Sequence, residues 1–416
     1  MSDAHTSHEK WLSLLKDHLE KERYSSQTTP HWISAAAKFL TFVAKQKLTV
    51  ATVKPETVEH YLRLAKGRYR RRHGHSPGYV GWQCSHTSGI HMLLRLIHGQ
   101  WPPVPLAVTP SEIFQREIRD AYAQSLFELR GLAPATVSDR RAEAGRFLVW
   151  LGQRASCEAV ALLTVGDVDN YMKDRAGSLR RPSLKSIATQ IRSFLRWLHA
   201  TAKTPRDLST AVIAPTLYAF ESIPSALRSE DVNKILTAAA QDSTPKGVRD
   251  SAILTMLARY GTRAGEIAAL RLEDVDWRKD SIRIHHTKTG ATSYLPLLPE
   301  VGEAILKYLQ TARPKTPFRE IFIRTRAPYR PFENGSSLYS TIRRRVDAAG
   351  VVTTGKRGPH AFRHARAVSM LRAAATLKEI GDVLGHRAAD STLVYLKLAT
   401  EDLRRIALEV PVGVQA

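Results

Sequence analysis

Cysteine is nearly absent from this chain: only Cys84 and Cys157 occur among 416 residues. Two thiols so far apart offer neither a metal-ligand spacing nor a disulfide framework, which suits a reducing compartment. No run reaches the roughly 18 apolar residues that a membrane-crossing helix needs. The residues after Met1, "SDAHTSHEK", are polar and contain no apolar core of a secretory signal. The expectation from these absences is a soluble, cytoplasmic protein with no membrane partner. Acidic residues are also scarce, since 39 Asp and Glu stand against 62 Lys and Arg, a formal net charge of +23. A surplus of this size points to a polyanionic partner, most simply nucleic acid. Charge alone leaves ribosomal, membrane-surface and merely solubilising roles open. The cations, however, are spread along folded-looking segments and not gathered in a tail.

With 43% hydrophobic residues there is ample material for packed cores, and the length implies more than one domain. The first half reads as helices. "HEKWLSLLKDHLEKE" and "TPHWISAAAKFLTFVAKQ" carry apolar residues at helical spacing, the second with a start signal at Thr29-Pro30. "KPETVEHYLRLAKGRYRRR" is a third helix ending in a basic run, and "HTSGIHMLLRLIHGQW" a fourth, stopped by Pro102 and Pro103. The same order recurs between residues 110 and 205. Phe39-Leu40 lines up with Phe147-Leu148, Tyr61 with Tyr171, and His98 with His199. This is the pattern of a tandem duplication of a small helical unit.

A linker rich in proline follows, with Pro205, Pro215 and Pro224. Beyond it "SEDVNKILTAAAQ" reads as a helix capped by Ser229. "GVRDSAILTMLARYGTRAGEIAALRLEDVDW" is helical and broken at Gly261. "DSIRIHHTKTGATSYLPLL" alternates and reads as two or three strands around a turn at Gly290. Helices return at 301–311, 337–349, 360–375, 377–384 and 390–408. The expected fold class is mainly α with a small antiparallel sheet in the C-terminal domain. The expected boundaries are 1–105 and 110–205 for two helical units, 206–226 for the linker and 227–416 for the last domain.

Several polar residues of the last domain sit awkwardly. Arg263 follows Gly261 where a helix would otherwise continue its apolar face, with Glu266 at i+3 on the same side. Lys288 lies at a strand end beside the Gly290 turn. In "HAFRH", His360 and Arg363 are one helical turn apart, behind a Gly358-Pro359 helix start whose free N–H groups favour an anion. His386 follows Gly385, and Tyr395 lies nine residues further on. Each alone reads as surface charge, or as a core tyrosine. Together, five cationic or protonatable groups and a phenol are what phosphoryl transfer needs. Non-bridging oxygens require neutralisation, and the leaving oxygen requires a proton. Arginine forks bind two phosphate oxygens at once. A free tyrosine titrates near 10 and needs activation. No carboxylate cluster of the metal-binding type lies nearby in the sequence.

The stretches "YGTRAGEIAALRLEDVD", "IRIHHTKTGATSYLPL", "HAFRHARAVSML" and "LKEIGDVLGHRAADSTLVYLKL" closely resemble the tyrosine recombinases of the phage-integrase family, which share their chemistry with type IB topoisomerases. The resemblance runs from about 225 to 410, and the duplicated units upstream look like the family's SAM-like core-binding domain, present twice. It implies a tyrosine recombinase/type IB topoisomerase catalytic fold preceded by two helical bundles. It further implies that Tyr395 attacks a DNA phosphodiester and leaves a 3′-phosphotyrosyl link. Arg263 and Arg363 would hold the scissile phosphate, with His386 donating to it. Lys288 would protonate the departing 5′-oxygen, His360 would assist proton transfer at Tyr395, and Glu266 would buttress the site. The scheme needs neither ATP nor metal, so no cofactor is expected.

The implied partners are double-stranded DNA carrying specific recombination sites and a homotetramer assembled on it, with sister recombinases as further partners. The apolar end "LRRIALEVPVGV" could dock on a neighbouring protomer. Association with the nucleoid would follow. Upstream, Arg70, Arg71 and Arg72 in "KGRYRRRHGH", with Arg180 and Arg181 in "SLRRPS", are the expected DNA-facing loops. Arg366 is a departure from the usual residues after the Arg-His pair and reads as one more backbone contact, and His364 as packing. The alternatives are a type IB topoisomerase-like relaxing enzyme and a non-catalytic DNA-binding member. Within the family the alternatives are a phage integrase, an integron-type enzyme, a chromosome-dimer resolvase and a transposon recombinase, and the duplicated helical half points toward a mobile-element recombinase.

Overall fold

The structure is a computed structural model that describes residues 2–218, 226–288, 290–353, 355, 357–385 and 392. The chain forms two compact units, one made of Met1–Pro103 with Ser222–Ala416, the other of Val104–Glu221. Among the described residues no helix is long and apolar enough to cross a membrane.

The N-terminal part of the first unit holds α1 (Ser2–Lys21), α2 (Thr28–Lys45), α3 (Pro55–His73) and α4 (Cys84–His98). Their apolar stripes meet in a core of Leu15, Leu19, Phe39, Leu40, Tyr61, Ile90 and Leu94, closed at the end by Trp101. Each such side chain contributes roughly 1.5–3 kcal/mol by leaving water. Pro55 opens α3 at a position where no amide donor is needed, and Gly74, at φ +75°, ends it in the left-handed region. The basic run 66–73 is therefore helical and not a loop. A π-helical turn, Tyr79–Gln83, leads into α4 and has no signature in the sequence.

The second unit holds α5 (Pro110–Glu128), α6 (Pro134–Leu151), the short α7 (Cys157–Ala161), α8 (Val165–Ser178) and α9 (Arg181–Ala200). Reciprocal caps set two starts: Thr109 Oγ1 accepts from Glu112 N at 3.2 Å and Thr164 Oγ1 from Asp167 N at 3.2 Å. Phe147, Tyr171, Ile191, Phe194 and Leu198 fill the core. Part of the stretch read as linker packs here too. Leu208 and Val212 are buried, and Val212 O accepts from Arg192 Nη2 at 2.7 Å.

The aligned landmarks occupy matching places in the two cores. Phe39 meets Tyr61 edge-on at 5.3 Å, and Phe147 meets Tyr171 edge-on at 5.0 Å. One turn further along each helix a third ring joins, Phe42 at 5.2 Å from Tyr61 and Trp150 at 5.5 Å from Tyr171. The pair on a single helix, Phe39–Phe42 or Phe147–Trp150, is stacked in both. One difference stands out: four residues before the Phe, the first core has Ala35 and the second Glu143, both buried. Tyr171 donates to Glu143 Oε1 at 2.6 Å, and Arg146 Nε donates to Oε2 at 2.7 Å.

The remainder of the first unit is mainly helical with a small sheet, as expected. It contains α10 (Ser229–Ala240), α11 (Pro245–Tyr260), α12 (Ala264–Ala269), α13 (Pro299–Thr311), α14 (Ser336–Ala348), α15 (Pro359–Arg372) and α16 (Leu377–Leu384). The cap expected at Ser229 is corrected: Arg228 is the capping position, with extended backbone, and Ser229 is already helical. Strands β1 (Val275–Asp276), β2 (Ser281–His286) and β3 (Ala291–Pro296) form an antiparallel sheet in the order β1-β2-β3. Its register pairs Ile282 with Leu295 and His286 with Ala291. Along β2 the inward positions are Ile282, Ile284 and His286, so a histidine takes the third core-facing place. The core is built on α11, where Ile253, Met256 and Leu257 are fully buried. Thr244 Oγ1 caps α11 by accepting from Gly247 N at 3.1 Å, and Gly261, at φ +64°, ends it. An ionic network spans α11 and α14: Arg249 Nη2 donates to Asp250 at 2.7 Å, and Arg345 reaches Asp250 at 3.0 Å and Asp242 at 2.7 Å.

Candidate active site

Because Gly261 ends α11, the backbone leaves the helix and Arg263 becomes the capping residue of α12, with extended φ −75° and ψ 147°. Arg263 and Glu266 are thus not a surface pair on one continuous helix. Glu266 is only 3% exposed. It accepts from Arg263 N at 2.7 Å, from Arg263 Nη1 at 2.7 Å and from His286 Nδ1 at 2.8 Å. Burial pushes its pKa up, but the bonds from His286 and Arg263 outweigh this and leave it below the usual carboxylate value. Glu266 is an ionised counter-charge that fixes one guanidinium nitrogen of Arg263.

Lys288 lies in the turn after β2. Gly290, at φ +69°, closes that turn and donates to His286 O at 2.8 Å. Gly358 caps α15, and a methyl group there would come within 2.3 Å of the Tyr339 ring. The first two turns of α15 then carry His360 and Arg363. At Gly335, before α14, a methyl would meet Gly265 N at 2.5 Å, so α12 and α14 start against one another.

These elements surround one cavity of about 620 Å³. Arg263, Lys288, His360 and Arg363 all line it, and so do Thr287, Thr262, Ser336 and Tyr339. The last three are functional candidates that the sequence reading missed: Ser336 and Tyr339 lie in "SSLYSTIRRR", which reads only as an amphipathic helix, and Thr262 stands beside Arg263 without a signal of its own. Arg363 is 4% exposed. It donates from Nη1 to Gly261 O at 2.9 Å and from Nη2 to Leu384 O at 2.7 Å. His386 and Tyr395, the helix expected at 390–408 apart from Thr392, and the C-terminal end lie outside the described residues.

The remaining candidates are elsewhere. Arg70, Arg71 and Arg72 are exposed on the last turn of α3. Arg180 is exposed at the cap of α9. Arg181, next along, donates to Thr216 O at 2.5 Å and lies over the Tyr218 ring at 5.8 Å. Arg366 is half-buried against Gly261 and does not line the cavity. Burial, then the neighbouring Arg259, lowers its pKa. His364 is half-buried, its ring 6.4 Å from that of His360. Among the described residues no group of three or more His, Cys, Asp or Glu could hold a metal ion.

Two guanidiniums, an ammonium and an imidazole line this one cavity, a set of groups whose chemistry suits a tetrahedral oxyanion, since forked arginines bind paired oxygens. The model of the phage integrase family matches residues 225–402. The integrase/recombinase y4rF of Sinorhizobium fredii is 31% identical over 340 residues, 80% of this chain and 80% of that protein. A post-cleavage complex of the XerH site-specific recombinase with a palindromic difH substrate superposes with a TM-score of 0.53 at 14% identity, over 73% of this chain and 98% of that one. A lambda integrase tetramer bound to a Holliday junction gives 0.52 at 17% identity, over 76% and 88%. At such identities the likeness is one of fold. This chain belongs to the phage integrase family and is a tyrosine recombinase.

Proposed function

We propose that the protein is a site-specific DNA recombinase that cuts and rejoins strands through a 3′-phosphotyrosyl intermediate. The observation that carries this reading is that Arg263, Lys288, His360 and Arg363, from three separate segments, line one cavity. In the proposed reaction the scissile phosphate enters that cavity. The Tyr395 oxygen attacks phosphorus, and the bond from phosphorus to the 5′-oxygen breaks. Arg263 and Arg363 neutralise the non-bridging oxygens, with His386 donating to them. Lys288 gives its proton to the departing oxygen, and His360 assists removal of the phenol proton. The phosphodiester's energy is kept in the phosphotyrosyl bond, so a 5′-hydroxyl from another strand can reverse the attack. The steps as written use side chains alone, without ATP or a metal ion.

The net charge of +23 supports DNA as the partner, with most of the grip from phosphate contacts. The two helical units are proposed as core-binding domains that lengthen the footprint, with Arg70, Arg71, Arg72 and Arg180 facing phosphates. The assembly is proposed to be a tetramer on two duplexes, for which the tetrameric lambda integrase complex is the structural parallel. Intracellular action on chromosomal or mobile-element DNA follows from that partner.

The test is to trap covalent protein–DNA complexes in cells carrying the gene and sequence the attached ends. Discrete ends joined by phosphotyrosine, lost in Tyr395→Phe, are expected. Trapping that survives Tyr395→Phe would overturn the mechanism. Relaxation of supercoiled DNA without strand exchange between two recovered sites would assign topoisomerase-like action instead.

A further inference from the structure

We infer that His286 is a positioning residue that ties the Lys288 turn to Arg263. This inference rests on the proposed roles of Arg263 and Lys288. His286 is the third inward residue of β2, after Ile282 and Ile284, and is 1% exposed. Packing alone would be served by another isoleucine or a leucine at this place. A buried imidazole instead demands polar partners, and the partners here belong to the site. Nδ1 faces Glu266 Oε1 at 2.8 Å, the same oxygen that Arg263 Nη1 reaches at 2.7 Å. Nε2 faces Ser293 Oγ on β3 at 2.8 Å, and Ser293 Oγ approaches Asp382 O on α16 at 3.4 Å.

The ring also packs directly on Gly385, where a methyl group would come within 2.3 Å of Cε1 and Nε2. Gly385 has φ +65° and precedes His386 in the chain. One imidazole therefore touches the carboxylate that holds Arg263, the strand that returns from the Lys288 turn, and the glycine before His386. Lys288 is two residues further along the backbone, past the last strand residue. The hairpin has a side-chain anchor to α12 at the base of the turn that delivers Lys288 to the cavity.

Freeing that anchor should leave the fold and DNA binding in place while misplacing the proton donor. A 1 Å error at such a group costs up to about 100-fold in rate. The tests use the full-length protein with His286→Leu, which keeps an apolar filler, and His286→Asn, which keeps a donor toward Glu266. Without DNA, hydrogen exchange across the β2–β3 hairpin should accelerate in His286→Leu and return toward wild type in His286→Asn. With a nicked duplex of the site recovered by covalent trapping, His286→Leu should cleave about 10- to 100-fold more slowly at unchanged DNA affinity. A bridging 5′-phosphorothiolate at the scissile position, whose thiolate leaves without a proton, should recover most of that loss.

Unchanged hairpin exchange in His286→Leu would overturn the tie. Equal losses on the ordinary and thiolate substrates would overturn action through Lys288. Lys288→Ala is the control: if the thiolate does not recover it, the proton-donor reading of Lys288 fails. The hydrogen-exchange result still decides whether His286 anchors the hairpin.

Discussion

Arg363 donates from Nη1 to the carbonyl oxygen of Gly261 at 2.9 Å, joining the first turns of α15 to the end of α11. Its Nη2 bond to Leu384 O at 2.7 Å adds the end of α16. The residue proposed to hold a phosphate is therefore also a bolt between three helices. Arg363→Ala leaves two carbonyls without this donor and should lower unfolding stability by about 2–3 kcal/mol in urea titrations. Arg363→Lys keeps the charge but not the fork. It should recover part of the stability and little of the cleavage. Wild-type stability of Arg363→Ala would show that these bonds do not hold the helices together.

The ionic network at the start of α11 sets an acid limit. Asp242 accepts from the Thr244 hydroxyl at 2.6 Å, Arg345 Nη1 at 2.7 Å and Thr244 N at 3.0 Å. These bonds, the Thr244 hydroxyl foremost, hold its carboxyl down to about 2 from an ordinary 3.8. A carboxyl depressed in the fold stabilises it fully above the unfolded value and loses that contribution as pH falls through the folded value. The thermal midpoint should therefore fall between pH 3.8 and about 2. Glu266, also depressed, adds a limb of the same sign. Asp242→Asn should start less stable and fall less steeply over that window. Parallel melting curves for the two proteins would refute the assignment.

The matching ring clusters predict unequal effects of one chemical change. Tyr171 donates to the fully buried Glu143, whereas Ala35 stands where the first core would have that carboxylate. Burial, then the hydrogen bond to Glu143, pushes the Tyr171 pKa up. Removing its hydroxyl strips one partner from a buried carboxylate, at a cost of about 1–3 kcal/mol. Tyr171→Phe should thus destabilise more than Tyr61→Phe. Equal shifts in the urea midpoint would contradict this.

Arg70, Arg71 and Arg72 lie exposed on the final turn of α3. If all three face phosphates, replacing them by alanine should weaken DNA binding and reduce the slope of log affinity against log salt by about 3. Binding titrations over a range of salt measure both. An unchanged slope would mean that these arginines are solvated surface charge.

Much of the fold was legible because its cause is local. Apolar spacing near 3.6 residues placed the helices of both helical units, and Gly261 marked the end of α11 through its φ of +64°. The Phe39/Tyr61 and Phe147/Tyr171 correspondence could be read from the order of residues alone, and the rings meet edge-on in each core. The start of α10 was misread at Ser229, because a cap depends on backbone dihedrals that composition only biases. The π-helical turn Tyr79–Gln83 had no signal at all.

The sequence by itself determined that the chain is cationic and helical, and that it carries arginine, lysine and histidine at spacings suited to a phosphate. Those properties reside in the residues or in neighbours a few positions apart. Only the tertiary structure decided that Arg263, Lys288, His360 and Arg363 share a cavity with Ser336 and Tyr339. It alone turned the Arg363 guanidinium toward two backbone carbonyls and set His286 between Glu266 and Ser293. A histidine on the inward face of β2, after Ile282 and Ile284, was the available hint that a buried partner existed. Which partner it found depended on how α12, β3 and α16 pack around it: His286 meets Glu266 across 20 residues of chain and Arg363 meets Gly261 across 102, separations that leave no periodic trace in the order of residues.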